Sequence, residues 1–211
     1  LTSIFTNNKS YLLPYGFETQ NPALQLSNDG DKFIIGFVGR LDIYTKGLDL
    51  LIKAFEAFTK EVPQTELWIL GDSDERATLE SLIVNQGLSD KIILFGSKFG
   101  QEKDQIMAKM HVFVHPSRNE GLPASVLEAA SMGLPCIVSR ATNVAETIDS
   151  FDAGIAVANE NTKELTAAMI NLYHNWKNDT LHLKGENAKK MVKTHFAWSA
   201  ILPQFDSLYG I

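Results

Sequence analysis

Short apolar runs alternate with amphipathic helical patterns through most of this chain, and this alternation is the feature that most constrains its fold. The first run, Phe33 to Val38 (FIIGFV), is continuously apolar, which is typical of a strand covered on both faces. Apolar residues then recur with the spacing of one helical face, at Leu48, Leu51, Ile52, Phe55 and Phe58. The pattern predicts an α/β fold in which a doubly wound parallel sheet carries helices on both faces.

The same alternation continues to about residue 157. It predicts strands near 67–70, 92–95, 112–114, 135–138 and 154–157, with helices near 75–84, 102–110 and 123–132. The remainder is helical: an apolar face runs from Leu165 to Trp176 behind a capping-box pair, Asn161 and Glu164, and two further helices are predicted near 180–192 and 198–209. We therefore expect a linker segment at 1–32, one domain at 33–177 and C-terminal helices at 178–211.

The composition is that of an ordinary globular domain, with 45% hydrophobic and 21% charged residues among 211. The net charge of −6, without clusters of lysine and arginine, argues against nucleic-acid binding and against a general membrane-surface role. The single cysteine, Cys136, has no partner for an internal disulfide and lies in an apolar run, which fits a reducing compartment. No apolar run suggests a membrane span and no N-terminal pattern suggests a signal peptide, so we expect a cytoplasmic protein.

Candidate functional residues lie where the predicted strands end, which is the edge at which open α/β sheets bind ligands. Arg40 follows Gly39 at the end of the first strand, and Lys46 opens the first helix after a polar loop. Either cation alone is most simply a solvated surface residue. Together, on adjacent loops beyond one strand, they are typical of a phosphate clamp, because a lysine at a helix N-terminus is favoured only when an anion is present.

The stretch from His115 to Glu128 (HPSRNEGLPASVLE) has the pattern of a strand, a loop and a helix that starts at Pro123. A helix N-terminus exposes unpaired N–H groups and the positive end of its dipole, so this junction predicts an anion site. Glu120 and Glu128 have three interpretations: paired carboxylates for acid–base work, hydrogen-bond acceptors for sugar hydroxyls, or ordinary surface acids. His115 is either a general base or a hydrogen-bonded structural residue.

Other site chemistries find no support in the sequence. No cluster of His, Cys, Asp and Glu has metal-ligand spacing, and neither a nucleophile elbow nor a G-x-x-x-x-G-K-[ST] phosphate loop is present. A phosphorylatable receiver-type signalling domain shares the alternation of strands and helices, but it needs acids at the end of the first strand, where this chain has Gly39 and Arg40. We therefore expect no metal and no cofactor.

The order of these motifs resembles the C-terminal, donor-binding half of the group 1, or family 4, nucleotide-sugar glycosyltransferases. The pattern is G-R, then K-G, then H-P-S-x-x-E-G-L-P-x-x-x-L-E-A-x-x-x-G-x-P. The matching positions are Gly39-Arg40, Lys46-Gly47, His115-Pro116-Ser117, Glu120-Gly121-Leu122-Pro123, Leu127-Glu128-Ala129 and Gly133-Leu134-Pro135. The resemblance covers most of the chain and implies a Rossmann-like nucleotide-sugar-binding domain, the C-terminal half of a GT-B fold.

The resemblance implies a role for each matching position. Arg40 and Lys46 would hold the donor diphosphate and neutralise charge on the leaving nucleotide, and Glu120 would contact the transferred sugar. Glu128 would accept hydrogen bonds from the ribose, and the loop at 97–99 would lie near the base. The donor-binding set is Gly39, Ser97, Lys98, Phe99, Gly121, Leu122, Pro123, Ala124 and Glu128, with Arg40, Lys46 and Glu120 as the catalytic set and no metal ligand.

The activity implied is retaining, metal-independent transfer of a hexose from a nucleoside diphosphate to a glycan or glycolipid acceptor, as in polysaccharide biosynthesis. The acceptor site of such enzymes belongs to an N-terminal domain that these 211 residues do not show, so we expect the chain alone to be inactive. Pro14-Tyr15-Gly16 resembles the link from that domain, with Tyr15 in place of the usual asparagine, and Phe196-Ala197-Trp198 resembles the start of the closing helix. The helices after residue 177 would pack on the domain or return to the missing one. Peripheral membrane association of the full-length protein at the inner face is compatible with this class.

Two alternatives stay open at this point. The first is a module that keeps the nucleotide-sugar pocket without catalysis, and the second is a nucleotide-sugar epimerase of the same architecture. Both would bind nucleoside diphosphates, so sugar transfer by the complete protein is the discriminating observation. The sequence leaves the sugar, the base and the acceptor open.

Overall fold

The parallel sheet predicted from the apolar runs is present in the computed structural model, which describes residues 16–18 and 30–209. Its strands are β1 (Phe33–Val38), β2 (Thr65–Leu70), β3 (Ile92–Gly96), β4 (Val112–His115), β5 (Cys136–Ser139) and β6 (Gly154–Val157). Within the described residues every strand pairing is parallel, and the order across the sheet is β3-β2-β1-β4-β5-β6. The order reverses between β1 and β4, which is the switch point at which such sheets bind ligands.

Helices connect these strands and cover the sheet. They are α1 (Leu48–Glu61), α2 (Arg76–Asn85), α3 (Gly100–Met107), α4 (Ala124–Met132), α5 (Ala145–Ser150), α6 (Thr162–Lys177), α7 (Leu181–Met191) and α8 (Trp198–Tyr209), with a π-helical turn at Val192–Phe196. The predicted cap of α6 is confirmed, because the Asn161 side chain accepts a hydrogen bond from the Glu164 backbone N–H at 3.1 Å.

The helices bury their apolar faces on both sides of the sheet. Alternate side chains of β1 enter the two layers, so that Phe33 packs in the layer that contains α1 and α6, while Ile34 packs in the opposite layer, which contains α4 and α7. Cys136 is fully buried in the second layer, and this burial raises the pKa of its thiol. The cysteine is therefore the small buried hydrophobe that its sequence context predicts.

The predicted elements are present, with different boundaries where local hydrogen bonding decides. The helix predicted near 102–110 is α3 at 100–107, because Lys109 and Met110 donate to carbonyls three residues earlier, a tighter turn that ends the helix. The Met110 side chain packs over Gly36, where an added Cβ would lie 1.9 Å from its Sδ. The short helix α5 was not predicted, since its two buried apolar residues, Ala145 and Ile148, are too few to show a period.

Residues 16–18 pack against the start of α8. The Phe17 N–H donates to the Phe196 carbonyl at 2.6 Å, and an added Cβ on Gly16 would lie 2.2 Å from the Trp198 ring. The rest of the predicted link, Pro14 and Tyr15, lies outside the described residues. Among the helices of the described ranges, none is long and apolar enough to cross a membrane.

Candidate functional site

A cleft of about 350 Å³ opens beyond the carboxyl ends of β1, β2 and β3. Its lining includes five residues for which donor contact was predicted, namely Gly39, Arg40, Ser97, Lys98 and Phe99. The Phe99 side chain is exposed at the rim, so its ring offers an open face on which a planar base can stack. The parallel topology therefore brings residues from the ends of β1 and β3 to one concave surface.

Backbone from two loops forms part of the cleft wall. Gly71 has a φ of +148°, and a Cβ at this position would lie 1.8 Å from the Gly39 carbonyl oxygen. The same two loops are joined by the Gly39 N–H, which donates to the Leu70 carbonyl at 3.0 Å. Only glycine at position 71 permits this close approach of the two loops.

Arg40 reaches the cleft from the loop after β1, and its side chain is 71% exposed. Its Nη2 lies 2.9 Å from Oδ2 of Asp42. A backbone hydrogen bond from Thr45 lowers the pKa of Asp42, so this carboxylate is ionised at neutral pH and attracts the guanidinium. Because an exposed ion pair contributes little stability, an arriving phosphate can recruit the Arg40 guanidinium at small cost.

Lys46 and Glu120 form an ion pair across the switch point, between the loop after β1 and the loop after β4. Their side chains are only 19% and 24% exposed. The prediction that Lys46 opens the first helix is wrong: α1 begins at Leu48, and the residue before it, Gly47, has a left-handed conformation. Lys46 instead lies in a turn that directs its ammonium group to Glu120. Contact of Lys46 and Arg40 with one diphosphate stays a prediction.

His115, the last residue of β4, contacts Glu120 from the buried side. Its Nε2 lies 3.5 Å from the nearer Glu120 oxygen and 3.0 Å from the Ser117 hydroxyl. Burial lowers the pKa of His115, so the imidazole is neutral at neutral pH. The neighbouring His115 and Lys46 lower the pKa of Glu120 to about 2, so its carboxylate is ionised. These contacts favour a hydrogen-bonded structural role for His115 and an acceptor role for Glu120.

Glu128 on α4 forms an ion pair with Lys103 on α3, and the two side chains are mostly shielded from solvent. Lys103 also lines the cleft, so the pair connects α4 to the edge of the cleft. Lys103 was not among the predicted site residues, because a lysine on the polar face of a short helix carries no sequence signal for a partner 25 residues away. Among residues 16–18 and 30–209, no three His, Cys, Asp or Glu side chains are grouped so as to hold a metal ion.

The turn before α4 has the predicted form, with the helix starting one residue later than expected. Pro123 is the N-cap residue, and α4 begins at Ala124. No side chain caps this N-terminus, and a helix N-terminus carries the positive end of the helix dipole. Leu122 packs on the α4 and α7 layer, and the Gly121 carbonyl accepts the Asn143 N–H at 2.9 Å. Binding of a ligand by this turn stays a prediction.

Gly47 and Pro116 bring the loops after β1 and β4 into contact. Gly47 has a φ of +67°, and an added Cβ would lie 2.2 Å from the Pro116 carbonyl oxygen, whereas Gly87 has the same φ with nothing within 4 Å of its Cβ position.

We expect Gly87→Ala to lower the free energy of unfolding by about 1–2 kcal/mol, which is the cost of the left-handed conformation alone. Gly47→Ala should lower the free energy of unfolding by a further ~1–3 kcal/mol, because the added Cβ clashes with the Pro116 carbonyl. Urea denaturation measures both losses, and equal values would contradict the close contact.

The doubly wound sheet with a charged cleft near its switch point has the architecture of the α/β folds that bind ligands at this edge. A family model described as Glycosyl transferases group 1 matches residues 21–191, and the chain belongs to this family. The chain is 25% identical to the phosphatidylinositol N-acetylglucosaminyltransferase gpi3 subunit of Schizosaccharomyces pombe, over 99% of this chain and 45% of that protein. It is 30% identical to the uncharacterized glycosyltransferase MJ1607 of Methanocaldococcus jannaschii, over 87% of this chain and 46% of that protein. The chain thus spans about half the length of these relatives.

Solved structures share the fold. A TarM mutant of S. aureus, in complex with Fondaparinux, alpha-GlcNAc-glycerol and UDP, superposes with a TM-score of 0.81 at 18% identity, over 99% of this chain and 41% of that one. Sucrose-phosphate synthase from Thermosynechococcus elongatus superposes with a TM-score of 0.78 at 23% identity, over 96% of this chain and 52% of that one. These likenesses confirm the Rossmann-like architecture of a GT-B glycosyltransferase domain.

Proposed function

We propose that this chain is the donor-binding domain of a retaining glycosyltransferase, which moves a hexose from a nucleoside diphosphate to a glycan or glycolipid acceptor. The observation that carries this function is the Lys46–Glu120 ion pair, which is held across the switch point at the carboxyl edge of the sheet. Neither residue lines the cleft itself, which opens at the same edge and is lined by Arg40 and Lys103. Cations and an acceptor carboxylate are the groups that a sugar diphosphate requires, because it combines negative phosphates with donor hydroxyls.

The cations act on the phosphates. Arg40 and Lys46 bind the donor diphosphate, and the uncapped N-terminus of α4 adds its positive end. As the bond from sugar to phosphate breaks, negative charge grows on the leaving nucleoside diphosphate. Lys46, which Glu120 already fixes, stabilises this charge with little reorganisation. The exposed Arg40 leaves Asp42 for the phosphates at small cost, and both cations lower the barrier to transfer. The family resemblance implies a metal-independent reaction, in which these cations neutralise the leaving nucleoside diphosphate without a metal ion.

The carboxylates act on hydroxyl groups. With its pKa lowered to about 2 by His115 and Lys46, Glu120 is ionised at neutral pH and has no proton to donate. It therefore accepts a hydrogen bond from the transferred sugar rather than serving as a general acid. Glu128, oriented by Lys103, accepts hydrogen bonds from the ribose, and Phe99 stacks on the base. The acid–base alternative for the two glutamates is accordingly not part of the proposed mechanism.

The acceptor binds elsewhere. Since the chain spans about half the length of its curated relatives, we place the acceptor site in an N-terminal domain that faces the carboxyl edge of this sheet. Residues 178–211 then pack on the donor domain or return to the other one. The complete enzyme acts in the cytoplasm, and its acceptor determines whether it associates with a membrane surface.

A binding titration followed by a sugar-transfer assay tests this function. Isothermal titration of the full-length protein with UDP, GDP and ADP should show binding of one of them, with UDP as the first probe because the TarM structure contains it. UDP-N-acetylglucosamine and UDP-glucose then serve as first donors, and release of UDP together with a sugar-bearing product establishes transfer. Binding without any sugar transfer would favour the non-catalytic module, and conversion to an epimeric nucleotide sugar would favour the epimerase.

A further inference from the structure

Arg118 lies two residues before Glu120, and its guanidinium contacts three other segments of the chain. Its Nη1 and Nη2 donate to the two oxygens of Asp49, both at 2.8 Å. Its Nε donates to Glu160 at 2.9 Å, and its Nη1 also donates to the Tyr44 carbonyl at 2.7 Å. The side chain is only 10% exposed. The guanidinium is shielded although Asp49 and Glu160 are 38% and 58% exposed, and its bidentate pairing is the arrangement in which the planar arginine fork gives the most geometric control.

Arg118 also contacts the loop after β1 through its backbone and through ring stacking. Its N–H donates to the Thr45 carbonyl at 2.9 Å, and its guanidinium carbon lies 4.3 Å from the centre of the Tyr44 ring. Tyr44 and Thr45 directly precede Lys46 in the chain. Arg118 therefore contacts the two residues that precede Lys46, and it lies two residues before Glu120 in the chain.

We infer that Arg118 is a positioning residue, which ties the loop after β1 to the loop after β4 and so sets the placement of Lys46 relative to Glu120. The Arg118 guanidinium is engaged by Asp49, Glu160 and the Tyr44 carbonyl and is only 10% exposed, so Arg118 acts through the two loops rather than on the donor. Hydrogen bonding to Asp49 raises the pKa of Arg118, as expected for a strongly held cation. Its catalytic consequence rests on the proposed function, whereas the tethering of the two loops does not.

Arg140 provides a matched control. It follows β5, its Nη2 lies 2.7 Å from Asp149 on α5, and its side chain is 50% exposed. Arg140→Met thus removes an arginine–aspartate pair of the same fold without touching the loop after β1. Because Arg140 precedes Ala141, whose carbonyl accepts the Glu120 N–H, it is the exchange control for Lys46 and β1 only. Arg118→Met removes one that joins the two loops of the site. Arg118→Lys keeps the charge and loses the fork, so it should restore part of the function if geometry is what Arg118 supplies.

Hydrogen exchange of the full-length protein tests the tethering directly. The Lys46 N–H donates to the Asp42 carbonyl at 3.0 Å, and the Glu120 N–H donates to the Ala141 carbonyl at 3.2 Å. In Arg118→Met these amides should exchange about tenfold faster or more, since local opening becomes easier, while β1 amides match those of Arg140→Met. Unchanged exchange at Lys46 and Glu120 would overturn the inference, and so would an equal acceleration throughout the chain.

Steady-state kinetics test the catalytic consequence with the donor that the wild-type enzyme uses. We expect Arg118→Met to lower kcat about 10- to 100-fold, with a smaller rise in donor KM, because displaced groups lose more in the transition state than in the bound donor. The kcat of Arg118→Lys should lie between those of the wild type and Arg118→Met, and the kcat of Arg140→Met should match that of the wild type. Equal kcat values for the two methionine variants would overturn the inference. If Arg118→Met does not fold, Asp49→Ala removes both acceptors of the fork contact and takes its place.

The two proposals fail in different ways. A wild-type protein that neither binds a nucleoside diphosphate nor transfers a sugar contradicts the proposed function, and the exchange data still decide the tethering. If the wild-type enzyme transfers sugar and Arg118→Met has the same kcat, the proposed function stands and only the positioning role is removed.

Discussion

Lys46→Ala should lower the rate of sugar transfer by the full-length protein about 100-fold or more, which is the usual cost of removing a charge-stabilising group from a reaction site. The ammonium of Lys46 is largely shielded and is fixed by Glu120 at the switch point. In the proposed mechanism it neutralises the leaving nucleoside diphosphate, so its loss affects the transition state more than the bound donor. We therefore expect kcat to fall further than donor KM rises.

Lys53→Ala is the matched control for Lys46→Ala. Lys53 is exposed on α1, seven residues further along the chain, and has no predicted role in the site. Its variant should keep wild-type kinetics. Thermal unfolding of both variants separates a loss of catalysis from a loss of folding, because Lys46→Ala also leaves the Glu120 carboxylate without its cation. A Lys46→Ala enzyme with normal turnover and normal stability would remove Lys46 from the proposed mechanism.

The fold could be predicted from the sequence because its strands and helices are marked locally. A strand buried on both faces, such as Phe33–Val38, must be apolar at every position, and an amphipathic helix such as α1 must repeat its apolar residues every three or four positions. Local sequence was insufficient where the pattern was too short, as in α5, and where a tighter turn at Lys109 and Met110 ended α3 earlier than predicted.

The site could be predicted only in part, for a related reason. Arg40, Lys46 and Glu120 lie in the loops that follow β1 and β4, and the carboxyl ends of parallel strands meet at one edge, so their placement at that edge follows from topology. The pairing of Lys103 with Glu128 and of Arg118 with Asp49 depends on how loops and helices pack in three dimensions. Spacing in the sequence carries no information about such contacts, and neither residue would be singled out by its type.

Glu128→Ala should raise the donor KM about tenfold or more, because a hydrogen bond to a charged group contributes about 1.5–3 kcal/mol and each 1.4 kcal/mol is a factor of ten. Glu128 is held by Lys103 at the edge of the cleft, and in the proposed mechanism it binds the ribose hydroxyls in both the bound donor and the transition state. Loss of such uniform binding changes KM more than kcat. The effect of Glu128→Ala thus has the opposite kinetic signature to that of Lys46→Ala.

A comparison of UDP with 2′-deoxy-UDP distinguishes a ribose contact from a structural role of Glu128, if UDP is the nucleotide bound. The wild-type protein should bind 2′-deoxy-UDP about tenfold more weakly than UDP, since the Glu128 carboxylate loses the 2′-hydroxyl as a hydrogen-bond donor. In Glu128→Ala the two nucleotides should bind equally, because the group that tells them apart is gone. Glu61→Ala, which changes an exposed acid at the end of α1, should keep the wild-type difference. If Glu128→Ala still discriminates between the nucleotides, another residue binds the ribose, and the Lys103–Glu128 pair only joins α3 to α4.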